Sequence, residues 1–256
     1  MTAHEHKRAT RFDAGKVARV RYSIGPQAVE ESAGVTRLFD RDSGCETFTQ
    51  RVLAFAEPTG ERREDAADEV LYVLAGSGEV VAGETRRRAR PGGAVFVAAG
   101  CPWRVERVDS APLRILSVLV LDPLPAARRD AYVDADGASP LGATAGRDFR
   151  LALTPDHGCT TVTQFVGRIP PGRAPDHFHT YDEVIYVLDG TGTLHIGGET
   201  APLEPAAAVH LPARLVHSLE NTGASDMLVL GVFRPAGSPA EAYYPDGTPA
   251  AVPESS

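Results

Sequence analysis

The sequence predicts an all-β fold of two tandem β-barrel modules, and three observations support this prediction. First, residues 42–50 (DSGCETFTQ) resemble residues 156–164 (DHGCTTVTQ) at a displacement of 114, and DEVLYVLAGSG (68–78) matches DEVIYVLDGTG (182–192) at that same displacement. Second, apolar runs of five to eight residues are bounded by Gly or Pro, which is typical of short strands. Third, the 25 glycines and 20 prolines favour many turns over long helices.

The repeat divides the chain into five segments. They are an N-terminal extension (1–34), an N-terminal module (35–125), a linker (126–148), a C-terminal module (149–235) and a tail (236–256). The stretch LPAARRDAYVDA (124–135) is expected to carry a helical turn or two. The tail is rich in Pro and Ala, and we expect Tyr243 and Tyr244 to pack against a barrel.

Charge and composition exclude several classes of function. The net charge is −8 and the only concentrated basic run is Arg86 to Arg88, so nucleic-acid binding is not expected. No run of 18 apolar residues exists, and the N-terminus has no hydrophobic region behind its charges, which argues against membrane insertion and classical secretion. The three cysteines form no close-spaced motif and favour a reduced, cytoplasmic compartment. We therefore expect a cytoplasmic protein whose partner is a small molecule.

The strongest functional signal is a cluster of three histidines and one glutamate. His177, His179 and Glu183 lie within seven residues, and His217 follows 34 residues after Glu183. Alternate side chains of a strand share a face, so His177 and His179 are expected to point the same way. This mixed N/O donor set suits Fe(II), Mn(II), Co(II), Ni(II) or Zn(II). Zn usually takes fewer protein ligands in catalytic sites, so four ligands favour Fe or Mn. We expect one divalent metal ion, with Fe(II) preferred.

These residues resemble the two motifs of the cupin superfamily. The first motif is matched by Gly172, His177, His179, Glu183 and Gly190, and the second by Pro212, His217 and Asn221. Arg214 stands where the second motif has Gly, so the turn there is expected to differ. Because the repeat covers both modules, the whole chain resembles a bicupin. The resemblance implies jelly-roll β-barrels and a metal ion at His177, His179, Glu183 and His217, and it leaves the reaction open.

The N-terminal module departs from this pattern. At the positions of the three histidines it has Arg63, Asp65 and Trp103, and Glu69 stands opposite Glu183. We therefore expect this module to be metal-free and structural. Glu69 is expected to pair with a neighbouring arginine or to be exposed. Trp103 is expected to fill the volume of the missing centre.

Four residues of the C-terminal module are candidates for binding substrate. Arg168 shares a strand face with Gln164 and is expected to reach an anionic substrate, with a salt bridge at the rim as the alternative. Gln164 is expected to point into the barrel, although Gln50 at the equivalent place favours a structural role. Arg214 lies in the loop before His217, at the expected mouth of the barrel, with a solvated loop residue as the alternative. His210 is a candidate to orient a metal-bound imidazole, although a buried structural role is favoured.

Three functions remain open on sequence alone. The first is a non-haem Fe(II) dioxygenase acting on a small enol- or catechol-like metabolite, as the family's quercetinase-like dioxygenases do, with Glu183 doubling as a base if its metal bond is labile. The second is a redox-neutral isomerase, cyclase, decarboxylase or hydrolase of a small polar metabolite. The third is a non-catalytic cupin that binds a small molecule. Exposed strand edges also make a homodimer plausible.

Overall fold

The computed structural model describes residues 21–23, 34–126 and 130–250. Most of the predicted extension (1–34) and the last six residues of the tail therefore lie outside the described residues. The described residues form strands and three short 3₁₀ turns, at Ala135–Gly137, Thr144–Gly146 and Pro155–His157. No helix in this part of the chain is long and apolar enough to cross a bilayer.

The N-terminal module consists of two antiparallel sheets. The first ten strands of the chain are β1 (Arg21–Ser23), β2 (Val35–Phe39), β3 (Phe48–Phe55), β4 (Ala67–Ala75), β5 (Gly78–Ala82), β6 (Thr85–Ala89), β7 (Gly93–Val97), β8 (Trp103–Val108), β9 (Leu113–Leu121) and β10 (Asp130–Asp134). The larger sheet has the order β10-β7-β4-β9-β3-β2, and the smaller has the order β6-β5-β8. A buried apolar cluster that includes Leu71, Val95, Val80 and Val105 draws residues from both sheets and forms the barrel interior.

The C-terminal module repeats this plan. Its strands are β11 (Leu141–Gly142), β12 (Asp148–Leu153), β13 (Thr163–Ile169), β14 (Gly172–Arg173), β15 (Asp182–Asp189), β16 (Gly192–Ile196), β17 (Glu199–Leu203), β18 (Ala208–Leu211), β19 (His217–Asn221) and β20 (Met227–Arg234). The larger sheet has the order β1-β18-β15-β20-β13-β12-β11, and the smaller has the order β14-β19-β16-β17. The prediction of an all-β chain with two tandem barrels is confirmed.

Three strands from outside the modules complete the larger sheets. β1 pairs antiparallel with β18, β10 with β7, and β11 with β12. The expected helical turns at 124–135 are therefore wrong for residues 130–134, which form β10. The free edge of β7 offers backbone hydrogen bonds to this segment, and tertiary pairing outweighs a weak local helical preference.

The larger sheets of the two modules pack against each other. A second apolar cluster joins Val70 and Val118 of the N-terminal module to Val184 and Val232 of the C-terminal module. Each larger sheet is thus buried on both faces, one towards its own barrel and one towards the other module. The candidate site lies in the C-terminal barrel.

Candidate metal centre

Backbone pairing brings the three histidines together. The N–H groups of His177 and His217 each donate to the other residue's carbonyl, at 3.0 and 2.8 Å, so their side chains leave the same face. His179, two residues further on, shares that face. One ring nitrogen from each histidine lies within 4.8 Å of the others. The expected convergence of the three imidazoles is therefore seen in the structure.

The other ring nitrogen of each histidine is held by a backbone carbonyl. Nδ1 of His177 lies 2.9 Å from the Pro175 oxygen, Nδ1 of His217 lies 2.9 Å from the Leu215 oxygen, and Nδ1 of His179 lies 2.6 Å from the Glu241 oxygen. A carbonyl oxygen only accepts hydrogen bonds, so Nδ1 carries the proton and Nε2 keeps its lone pair. Partners of this kind orient imidazoles that ligate metals. The donor set fits a divalent metal ion.

Burial keeps these imidazoles neutral. Desolvation lowers the pKa of His177, lowers the pKa of His179 to about 4, and lowers the pKa of His217 well below its usual value. Neutral imidazole is the form that binds a metal, so protons do not compete for these nitrogens at neutral pH.

Glu183 lines the same cavity as the three histidines. It is 3% exposed, its carboxylate has no hydrogen-bond or ion-pair partner among the described residues, and burial raises its pKa to about 8. Its carboxylate is not one of the donors that lie within 4.8 Å of each other. Its role as the fourth ligand therefore stays a prediction.

The equivalent glutamate of the N-terminal module accepts hydrogen bonds from three side chains. Glu69 accepts hydrogen bonds from Trp103 Nε1 at 2.7 Å, from Arg51 Nη2 at 3.0 Å and from the Ser117 hydroxyl. The expected pairing of Glu69 with an arginine is confirmed, and Trp103, 1% exposed, fills the interior. Arg63 and Asp65 pair with each other at the surface.

The displacement of 114 explains this difference between the modules. Arg51, Trp103 and Ser117 occupy the places of Phe165, His217 and Gly231. In the N-terminal module all three side chains donate hydrogen bonds to Glu69. In the C-terminal module the equivalent positions hold an aromatic residue, a candidate metal ligand and a glycine, so none of them neutralises Glu183 in this way. Sequence reasoning identified Trp103 and missed Arg51 and Ser117, although the repeat alignment contained the signal.

The cavity beside the histidines is mainly apolar and aromatic. Its apolar wall includes Phe149, Phe165, Ile169, Ile185, Leu219 and Val229. The Tyr181 ring stacks on the His179 ring with a centroid distance of 4.6 Å and on the Phe233 ring at 4.0 Å. This stacking restrains the orientation of the His179 ring. Arg147 also lines the cavity, and sequence reasoning did not single it out.

The tail forms part of this wall. Pro239, Ala240 and Ala242 line the cavity, and the rings of Tyr243 and Phe178 stack at 5.6 Å. The expectation that Tyr243 packs against a barrel agrees with this contact.

The predicted substrate residues lie in different places. Arg168 is at the cavity rim, where Nε is 2.5 Å from Asp148 Oδ2 and Nη1 is 3.1 Å from Asp226 Oδ2. This is the salt-bridge alternative, and it leaves little of the guanidinium free for a substrate. Arg214 is exposed and does not line the cavity, but its backbone N–H donates to the His179 carbonyl at 2.7 Å.

Gln164 and His210 face away from the cavity, so their candidate roles at the substrate site are wrong and the structural alternative applies to both. Gln164 shares its strand face with Val166, which belongs to the cluster between the modules. The amide of Gln164 is fully buried, with no hydrogen-bond partner among the described residues. His210 Nε2 lies 3.0 Å from Asp182 Oδ1, and its ring is 6.2 Å from that of Phe39 in the other module. Both residues are therefore structural parts of the module interface.

Known proteins are similar to this chain in sequence and in fold. The "Polyketide synthase CurC" of Streptomyces cyaneus is 33% identical over 81 residues, which cover 30% of this chain and 53% of that protein. The chain spans about half the length of the curated relatives it matches. Bacillus subtilis oxalate decarboxylase OxdC superposes with a TM-score of 0.67 at 12% identity, covering 81% of this chain and 75% of that one. Protein Ylba from E. coli superposes with a TM-score of 0.72 at 13% identity, covering 89% and 93%.

The family assignment comes from the sequence of both modules. The family model for the cupin domain matches residues 54–119 and again residues 165–233, together just over half of the chain. These ranges cover the central strands of each barrel, and the second includes all four residues of the histidine–glutamate cluster. The chain therefore belongs to the cupin family and carries two cupin domains in tandem.

Proposed function

We propose that the protein is a metal-dependent enzyme whose single divalent metal ion is held in the C-terminal module by His177, His179, His217 and Glu183. One observation carries this proposal: three imidazoles, two of them buried and one half-buried, converge while a backbone carbonyl holds the Nδ1 of each. Ordinary buried histidines are not expected to leave three Nε2 lone pairs facing one point, because an unpaired buried polar atom is costly.

The reaction we propose is the oxygenation of a small enol- or catechol-like metabolite by a non-haem Fe(II) dioxygenase. The metal supplies Lewis acidity and, when it is iron, redox chemistry with dioxygen. The apolar and aromatic wall suits an apolar planar substrate better than a small, very polar one, and it keeps water away from the reacting atoms. Glu183 exchanges a proton with the enol when its bond to the metal is released, because burial raises the pKa of the metal-free carboxyl to about 8 and so makes it a stronger base than an ordinary carboxylate.

A redox-neutral reaction is the second candidate, and a Glu183 carboxyl that is free of the metal favours it. A carboxyl group that titrates near neutral pH serves as acid or base in isomerisation or decarboxylation without any oxidant. Oxalate decarboxylase shares the fold, but at 12% identity the likeness extends to the fold alone.

The test combines elemental analysis with an oxygen electrode. His217→Ala is expected to lose the metal that co-purifies with the wild type. His195→Ala is the matched control, because His195 pairs with Glu220 on a neighbouring strand and should retain the metal. Iron together with oxygen uptake on enols or catechols supports the dioxygenase, whereas turnover that continues under strict anaerobiosis supports the second candidate. If no metal co-purifies and His177→Ala leaves ligand binding unchanged, both enzyme proposals are wrong and a non-catalytic binding protein is favoured.

A further inference from the structure

Arg147 is a partly buried cation in the wall of the metal cavity. Its Nη2 donates to the Leu219 carbonyl oxygen at 2.5 Å, and no carboxylate in the described part of the chain pairs with it. A guanidinium has five N–H donors in a planar fork, so most of its donors remain available. A cation held away from water without a counter-charge is costly unless it meets an anion.

The neighbouring carboxylates are already committed to other groups. Asp148, the next residue along the chain, is bound by Arg168, and Asp226 is bound by the same arginine. Glu183 is the remaining carboxylate of the cavity wall, and it faces the proposed metal site. With a divalent ion in place, the cavity stays net positive even when Glu183 is ionised.

A strained turn places Arg147 in the wall. Ala145 and Gly146 both adopt left-handed backbone conformations, with φ of +57° and +69°. A left-handed alanine costs free energy, and strain of this kind at a cavity wall suggests that the position of the following residue matters. The burial that lowers the pKa of Arg147 to about 10 leaves it fully charged at neutral pH.

We propose that Arg147 binds the negative charge of the substrate, and that the substrate is a small organic anion with an apolar planar body, such as an aromatic carboxylate or enolate. This inference rests on the proposed function and deepens it, since it names the substrate class of the same cavity. The Phe149 and Phe165 rings of the wall face the apolar body, while the guanidinium takes the charged end in a charge-assisted hydrogen bond.

Calorimetric titration with benzoate and with benzyl alcohol tests this role. The two probes share an aromatic ring and differ in charge. The wild-type protein is expected to bind benzoate and to bind benzyl alcohol at least about tenfold more weakly, as expected for hydrogen bonds to charged groups. Arg147→Gln should weaken benzoate binding by about tenfold or more, Arg147→Lys should retain part of it, and neither should change the metal content.

Two matched variants make the result specific. Arg173→Gln removes an exposed arginine that pairs with Asp176 outside the cavity and should leave benzoate binding unchanged. Arg168→Gln tests whether the other arginine of the cavity binds the anion instead. A loss of benzoate binding in this variant but not in Arg147→Gln would overturn the proposal. Equal binding of benzoate and benzyl alcohol, or no binding of benzoate, would overturn it as well. Because elemental analysis reports the metal separately, failure of the metal site and failure of the arginine are distinguishable.

Discussion

Nδ1 of His179 lies 2.6 Å from the backbone carbonyl oxygen of Glu241, which follows it by 62 residues. The tail that carries Glu241 is fixed beside the barrel by mutual backbone hydrogen bonds between Phe178 and Tyr243, at 2.8 and 2.9 Å. A segment beyond the last barrel strand thus sets the proton position and the ring orientation of one candidate ligand.

Removal of residues 239–256 is expected to weaken metal binding by about 10- to 100-fold, the usual effect of losing a group that orients a ligand. The barrel should stay folded, because its last strand ends at Arg234. Removal of residues 251–256 alone is the control and deletes none of the described residues. Competition against a chromophoric chelator measures the affinity, and an unchanged affinity in the longer deletion would show that the carbonyl is dispensable.

Gly231→Ala is expected to damage the site without replacing a ligand. A methyl group at Gly231 would overlap the ring of Phe165 and lie 2.9 Å from Oε1 of Glu183. Overpacking of this kind costs about 1–3 kcal/mol and would displace the carboxylate. Both the denaturation midpoint and the metal affinity should fall. Gly60→Ala is the control, since a methyl group there meets nothing within 4 Å. Metal affinity equal to that of the wild type would argue against Glu183 as a ligand.

The repeat and the spacing of the histidines were enough to predict the fold, the pairing of Glu69 with an arginine and the convergence of three imidazoles. The sequence did not predict which face of the sheet carries the side chains of Gln164 and His210. Both residues lie in a sheet that is buried on its two faces, so the alternation of apolar residues does not reveal which face is the barrel interior. Arg147 escaped notice because its position depends on a local left-handed turn and on strands that are distant in sequence.

Arg214→Gly is expected to stabilise the protein. Arg214 adopts φ +65° at the place where the cupin motif has glycine, so the turn is kept despite the side chain. A non-glycine residue in this conformation costs about 1 kcal/mol, and glycine relieves that cost. Urea denaturation should show a gain of about this size. Arg214→Lys retains the Cβ atom and should show none. A loss of stability in the glycine variant would mean that the arginine side chain contributes more than the strain costs.

The metal-free protein is expected to lose stability as the pH rises from about 6.5 to 8. Burial raises the pKa of Glu183 from 4.5 to about 8, so between these values the folded state holds a proton that the unfolded state has released. When the folded state binds more protons, the free energy of unfolding falls with rising pH. The buried histidines act in the opposite direction, since their pKa values are lowered, and their contribution is about half complete at the unfolded value of 6.5 and nearly complete about one unit above it.

The contribution of Glu183 is therefore measured as the difference in unfolding free energy between the wild type and Glu183→Gln, since both proteins carry the same three histidines. Between pH 6.5 and 8 this difference is expected to fall by an amount on the order of 1–2 kcal/mol, because one pKa unit corresponds to about 1.4 kcal/mol. Thermal unfolding of chelator-treated protein at several pH values measures it. Glu183→Gln cannot titrate and should remove the decline, and so should saturation with the metal, since the ion replaces the proton on the carboxylate. A decline of equal size in the glutamine variant would assign the titration to another group.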